Sequence, residues 1–343
     1  MFKTESEPVF WQHWQKVLAA TKAGPRYSSM TAKSFILIAK DQGIFHADKS
    51  FVYLQNGRPA AAVFFPLMTI DGTVIASVTG DFLYAPLLAN KSVEKQLFVE
   101  IDKLARSSGV AKIEFQIDPL DKYYAYNWLQ KYGYLESSVL AYVMDLTVPD
   151  FLSSCRADHR ARIKKMLADP EVEIFHIDGS NPDYRIHEQY REMHQKMAGR
   201  VARPKETFDL QFERLKLGEA VLFGVKYRGR RSAFAYFDFR TDKGNYASSV
   251  HDPDMPALAF SHILVYRAAE YLKKIGVKLI DSEQPSAPSS QFGFSHDKKQ
   301  LNIALFKRGF GGRFVQNFRG VKYFSKEVLA KDLSKFAAQY QLS

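Results

Sequence analysis

A mixed α/β fold, built as two tandem copies of one unit, is what this sequence predicts, and three paired echoes predict it. The first pair is Leu129-Gln130-Lys131-Tyr132-Gly133-Tyr134 and Leu305-Phe306-Lys307-Arg308-Gly309-Phe310, whose glycines lie 176 residues apart. The second is a strand, a Gly-Arg turn and a strand: 51–55 into 60–68 around Gly57-Arg58, and 223–227 into 232–239 around Gly229-Arg230, at an offset of 172. The third is a helical apolar pattern ending at a C-cap glycine, 92–108 before Gly109 and 257–275 before Gly276, at an offset of 167. Three offsets so close, in one order, indicate a duplicated unit too long for a solenoid repeat. A chain of 343 residues has room for two domains of ordinary size.

The elements follow from local pattern. Phe10-Trp11-Gln12-His13-Trp14 opens an amphipathic helix within 1–30. Segments 36–39, 51–55, 60–68 and 74–84 read as strands, 92–108 as a helix and 110–117 as a strand. A short helix at 123–132 and a strand at 134–146 complete the first copy. Val148-Pro149 marks a break, and 150–168 reads as one helix joining the halves. A strand at 171–176 and helices at 183–198 and 208–217 lead into a three-strand meander at 221–227, 232–240 and 245–251. The helix 257–275, the strand 277–281 and a Ser/Pro/Gln-rich loop at 282–295 come next. A helix at 300–307, an extended stretch at 313–323 and an amphipathic helix at 326–341 end the chain. The expected domains are 1–148 and 171–343, with 149–170 between them.

Composition narrows the function. The net charge is +11, with a pI near 9.4. Cations cluster at Arg156, Arg160, Arg162, Lys164 and Lys165, around Lys226–Arg231, and from Lys298 to Lys326. This balance suits a polyanion such as a nucleotide diphosphate, CoA, RNA or an anionic membrane, or simply solvated faces. Lys326, Lys331 and Lys335 on the last helix fit peripheral contact with an anionic membrane on the same terms. The single cysteine, Cys155, excludes an internal disulfide and a cysteine-based metal cluster, and no metal is expected. Neighbouring Arg156 and Arg160 are of the sign that lowers a thiol pKa. The polar, acidic N-terminus is unlike a secretory signal, and no apolar run approaches the ~20 residues of a membrane span. A cytoplasmic location is the expectation.

The order hairpin, strand, helix, strand, helix, strand resembles the GNAT acyltransferase fold, in which two central parallel strands splay apart. In that fold a glycine-rich loop before the first helix holds the pyrophosphate of acyl-CoA. Here the two copies read Ala85-Pro-Leu-Leu-Ala-Asn-Lys91 and Asp252-Pro-Asp-Met-Pro-Ala-Leu-Ala-Phe-Ser261. Neither has the glycine pattern, and Asp252 and Asp254 repel a pyrophosphate.

Tandem GNAT-like units with a late Phe306-Lys307-x-x-Phe310-Gly311 resemble the FemABX family of aminoacyltransferases and the wider FemAB-like N-acyltransferases. The resemblance also rests on Ala198-Gly199-Arg200-Val-Ala-Arg203-Pro204, Gly218-Glu-Ala220, Phe260-Ser-His262 and the 154–166 linker. It implies transfer of an aminoacyl or acyl group from aminoacyl-tRNA or acyl-CoA, with no tightly bound cofactor. The product is an amide on an amine of a cell-envelope precursor, carried on a nucleotide or lipid diphosphate. The resemblance places Lys307 at the developing oxyanion and Phe306 against the donor. Residue types and strand ends nominate Glu283 and His251 as further catalytic groups. Arg200, Arg203, Tyr246, His262 and Asp281 are nominated for donor or acceptor binding. Two alternatives stand beside this reading. One is an acyl-CoA-dependent N-acyltransferase of a nucleotide sugar or small amine. The other is a non-catalytic tandem GNAT module that binds RNA or a polyanion.

Overall fold

The computed structural model describes residues 2–4, 6–121, 126–255, 258–282 and 298–340. They form two compact units, one of residues 2–140 and 316–340, the other of 141–282 and 298–315.

In the first unit a small sheet pairs Phe2–Thr4, Phe51–Gln55, Arg58–Val63 and Leu87–Leu88, in that order. The main sheet runs Leu135–Glu136, Arg319–Tyr323, Lys112–Gln116, Thr73–Ala76, Pro66–Ile70, Phe45–Asp48. The helix Glu94–Ser107 buries Leu97, Phe98, Ile101 and Ala105, a 3–4 spacing that aligns one apolar face, against Phe65, Leu67, Ile113 and Phe115.

The sheet of the second unit runs Val172–Ile177, Ala220–Tyr227, Arg230–Arg240, Lys243–His251, Leu279–Asp281, Val139–Asp145, Gly312–Asn317. The first four strands are antiparallel, and Lys243–His251 pairs parallel to Leu279–Asp281. The helix Phe260–Lys274 supplies the crossover and buries Ile263, Leu264, Ala268 and Leu272 on one face of the sheet. On the other face pack Tyr184–Ala198, whose cap residue Asp183 accepts from the Arg185 and Ile186 N–H groups, and Lys205–Lys216.

The two main sheets share a topology. In each, the strand beside the second member of the parallel pair comes from the other half of the sequence: Arg319–Tyr323 in the first and Val139–Asp145 in the second. Contiguous domains divided by a joining segment at 149–170 are therefore not what forms. The expected strand 134–146 is two strands, split where the Glu136 carboxylate takes the Ser138 N–H out of the ladder. The expected stretch 313–323 likewise splits between the two sheets.

Other expectations shift locally. Residues 36–39 belong to the helix Ser29–Asp41, started by Ser28, whose hydroxyl accepts the Thr31 N–H. Segments 60–68 and 74–84 are each two strands. The joining helix breaks at Cys155-Arg156 into Phe151–Ser154 and Ala157–Ala168. Of the expected 123–132 helix, Trp128–Tyr132 forms a 3-10 turn, and 122–125 lie outside the described residues. The same is true of 283–297, hence of nearly all the expected Ser/Pro/Gln loop.

Candidate active site

In the second unit the parallel pairing is short. Lys243, Gly244 and Asn245 face Leu279, Ile280 and Asp281, and among the described residues it ends there. Just beyond lies a β-bulge: Tyr246 faces Phe237, Ser248 faces Tyr236, and Ala247 is the extra residue. A bulge bends its strand, so the two central strands part at Asn245 and Asp281. Among the described residues, the strand 243–251 runs on beside its antiparallel neighbour alone.

Lys307 occupies this parting. It is the last residue of the helix Lys298–Lys307, and it is buried, at 8% exposure. Its ammonium donates to the carbonyl of Ser282, the residue that follows Leu279–Asp281, and lies 5.1 Å from the centre of the Tyr246 ring. Tyr246 is stacked on Phe237 at 4.8 Å, and burial pushes its phenol up to about 12. Ser282 is fully buried and its hydroxyl donates to the Tyr142 carbonyl, while the Tyr142 hydroxyl donates to the carbonyl of Phe310. The cation, the strand end and the turn after the helix thus form one bonded unit.

Phe306 lies beside it in an aromatic group. His262 meets the Phe306 ring edge-on at 5.0 Å, His159 lies 4.5 Å from His262, and Phe310 lies 5.2 Å from Phe306. Burial, then the neighbouring His159, lowers His262 to about 4, so the His262 imidazole is neutral near pH 7. The turn that follows is held by close approach. A Cβ on Gly309 would fall 2.0 Å from His159 Nε2, one on Gly311 1.8 Å from Ser154 Oγ, and one on Gly312 2.2 Å from the Val143 carbonyl. The glycines of the late motif are there because no side chain fits.

The first unit closes the corresponding parting. Thr73–Ala76 pairs in parallel with Lys112 and Ile113, and Val78 and Asp81 then bond to each other across a turn. Leu83–Tyr84 returns to pair in parallel with Phe115 and Gln116 on the same strand. The Ala85 N–H donates to the Gln116 carbonyl at 2.7 Å, and the Gln116 amide donates to the Phe82 carbonyl at 3.3 Å. The echoing Lys131 is exposed, with its ammonium 5.3 Å from the Tyr126 ring.

Of the nominated residues, the structure brings together Lys307, Phe306, Tyr246 and His262. Asp281 is buried next to Ser282. Strand alternation puts it in the row of Asn245 and Asp238, on the face opposite Ile280. His251 is exposed at the far end of its strand, five residues and about 16 Å from Tyr246 at ~3.3 Å per residue. Arg200 is exposed just past the helix cap Gly199. Arg203 stacks on Phe208 at 4.0 Å and donates to Gln211 at 3.0 Å, against the core on the opposite face of the sheet. Glu283 lies outside the described residues. Cys155 is buried, and desolvation outweighs Arg160 and raises its thiol, contrary to the expectation from sequence. Among the described residues no group of three or more His, Cys, Asp or Glu is placed to hold a metal ion.

Sequence reasoning missed His159, Ser282 and Tyr142 as parts of this site. His159 carried one signal, a lone imidazole within a cationic run. Its partners lie about 150 residues away, and sequence alone does not pair them.

The loop ahead of Phe260–Lys274 holds Asp252 and Asp254. Lys196 bridges both, at 2.6 and 2.7 Å, and Arg230 approaches Asp252 at 3.7 Å. The cations there are engaged by carboxylates of the protein itself.

The fold is similar to that of FemX. The two structures align with a TM-score of 0.62 at 11% identity, over 89% of this chain and 95% of FemX. L-PGS from Bacillus licheniformis aligns at 0.63 and 14% identity, over 97% of this chain and 98% of that one. The C-terminal domain of a protein named as a lysylphosphatidylglycerol synthetase from Agrobacterium fabrum aligns at 0.62 and 16% identity, over 94% and 95%. No protein-family model and no curated protein sequence matches the chain.

Proposed function

We propose that this protein is an N-acyltransferase of FemABX type. It moves an aminoacyl group from aminoacyl-tRNA onto an amine of a cell-envelope precursor held on a nucleotide or lipid diphosphate, on the cytoplasmic side. The observation that carries the reading is the buried Lys307 ammonium at the parting of the central strands. It is supported by the fold shared with FemX, with L-PGS and with the domain of a protein named as a lysylphosphatidylglycerol synthetase.

The chemistry suits that position. The acceptor nitrogen attacks the ester carbonyl carbon, a C–N bond forms, and the carbonyl oxygen becomes an oxyanion. A fixed ammonium in a water-poor cleft stabilises that charge more than bulk water does. The C–O ester bond then breaks, and the leaving hydroxyl takes a proton as the new ammonium loses one. Glu283, next to Ser282 in sequence, is the proposed proton acceptor, since Asp281 lies on the sheet face away from Lys307. His251, about 16 Å along its strand, is too far for direct transfer. Phe306 and Tyr246 form apolar walls for the donor's acyl end. The basic surface, with Arg200 exposed upon it, suits phosphate groups of donor and acceptor. The carboxylates at the usual pyrophosphate position favour tRNA over acyl-CoA as donor.

The test is a transfer assay read by mass spectrometry, in which a mixed aminoacyl-tRNA pool and an acyl-CoA set each meet amine-bearing envelope precursors. An amide from the tRNA pool supports the reading. An amide from acyl-CoA alone overturns the donor assignment, and none from either overturns the enzyme. A tRNA donor also implies binding that weakens steeply between low and physiological salt, as phosphate contacts release counterions.

A further inference from the structure

The helix that carries Lys307 ends in carbonyls that no further α-helical turn satisfies; the Phe306 carbonyl accepts the Gly309 N–H at 3.0 Å and keeps a second lone pair. The start of the linker helix Ala157–Ala168 packs against this end. His159 Nε2 lies 2.9 Å from the Phe306 carbonyl, the Arg156 backbone N–H donates to the Gly309 carbonyl at 2.8 Å, and the Arg156 guanidinium reaches the Leu305 carbonyl at 3.5 Å. A carbonyl only accepts, so Nε2 must carry hydrogen. On the other side of the ring, Nδ1 lies 3.4 Å from both Arg156 Nη2 and Asp158 Oδ1, so the imidazole is fixed at both nitrogens. Asp158 is held in turn by Arg156 at 2.6 and 2.9 Å. The ring is 2% exposed and lies against Gly309, Phe306 and Phe310.

We infer that His159, oriented by Arg156 and Asp158, is a positioning residue that clamps the carbonyl end of the 298–307 helix and thereby sets where the Lys307 ammonium stands. The geometric chain is short. His159 bonds the Phe306 carbonyl, Lys307 follows Phe306 directly, and its ammonium meets Ser282. The His159–Gly309 contact also explains why the late motif tolerates no side chain at that glycine. In catalysis this inference rests on the role proposed for Lys307. The clamp itself does not, and its test is independent of activity.

Competitive acetylation followed by mass spectrometry reads the accessibility of Lys307 in the full chain. His159→Gln keeps an N–H donor at the far end of a flat side chain, and His159→Leu keeps volume without the donor. We expect His159→Leu to acetylate at Lys307 about tenfold faster than wild type, the scale of losing one buried hydrogen bond. His159→Gln should stay within about twofold of wild type. Equal Lys307 rates in all three proteins, or equal acceleration in both variants, would overturn the clamp. Should His159→Leu not fold, nitrogen-15 spectra of wild type decide: hydrogen on Nε2 supports the clamp, and an Nδ1–H tautomer overturns it. In a transfer assay, His159→Leu should lower kcat with KM little changed. Full activity in Lys307→Ala would sink the catalytic reading while leaving the acetylation result standing, so the two failures are distinguishable.

Discussion

The turns at 129–134 and 305–310 share a residue pattern and differ in nearly everything that pattern does. Gly133 has φ +79° and closes a 3-10 turn as its left-handed cap, with a Cβ meeting nothing nearer than the Lys322 side chain at 3.7 Å. Gly309 is glycine because the His159 ring occupies the space of a Cβ. Lys131 is exposed over Tyr126, whereas Lys307 is buried on a strand-end carbonyl. Around the first turn, Leu83–Tyr84 fills the parting of the parallel strands; around the second, the ammonium occupies it. One backbone plan thus extends its parallel pairing in one unit and ends it at a buried ammonium in the other, through packing choices at a few positions.

The comparison breaks most sharply on the two lysines. Lys307→Ala should lower kcat by about 10²–10³, the usual loss on removing an oxyanion partner, while Lys131→Ala leaves it unchanged. Comparable losses in both would end the distinction between the units.

The two glycines come next, and they separate by mechanism. Gly309→Ala pushes a methyl into the His159 ring and should destabilise by about 3 kcal/mol, at the upper end for overpacking. Gly133→Ala makes only an ordinary contact with the Lys322 side chain but on a left-handed backbone, and should cost about 1 kcal/mol. Urea unfolding of both variants measures the difference, and the reverse order would contradict the packing argument.

Acid should distinguish the units more mildly. Burial holds His187, His194 and His262, all in the second unit, at about 4, below their unfolded value near 6.5. Between those values the unfolded chain binds protons that the folded one refuses. Their contribution is therefore intact above pH 6.5 and is lost as pH falls toward 4. In the first unit, burial raises Glu114 and Asp48, whose contribution is present at low pH and lost as pH rises through the folded values. Hydrogen exchange at pH 4.5 against pH 7 should show protection falling further in 141–282 than in 6–121.

Much of the architecture was legible in the sequence, because apolar periodicity and cap glycines are local signals. The helices 94–107 and 260–274, the meander and the placement of Lys307 at a helix end all follow from them. What stayed hidden was non-local. A run such as 134–146 reads as one strand whichever sheet it joins, since period-two patterning says that a strand forms and not with whom it pairs. The strand exchange therefore left no mark in the sequence. For the site, Phe306 and Lys307 came from a motif, but Ser282 takes part through its carbonyl, which any residue has. Arg203 looked like a ligand arginine and is instead committed to Phe208 and Gln211.

Donor chemistry is proposed at the strand parting of the second unit and not in the first. Chemical-shift mapping with an aminoacyl-adenosine analogue, its ester replaced by a stable amide, tests this most directly. Perturbations should centre on Tyr246, Ser282, Phe306 and Lys307, with residues 76–85 and 112–116 unmoved. Perturbations centred on 76–85 and 112–116, with Lys307 silent, would contradict it.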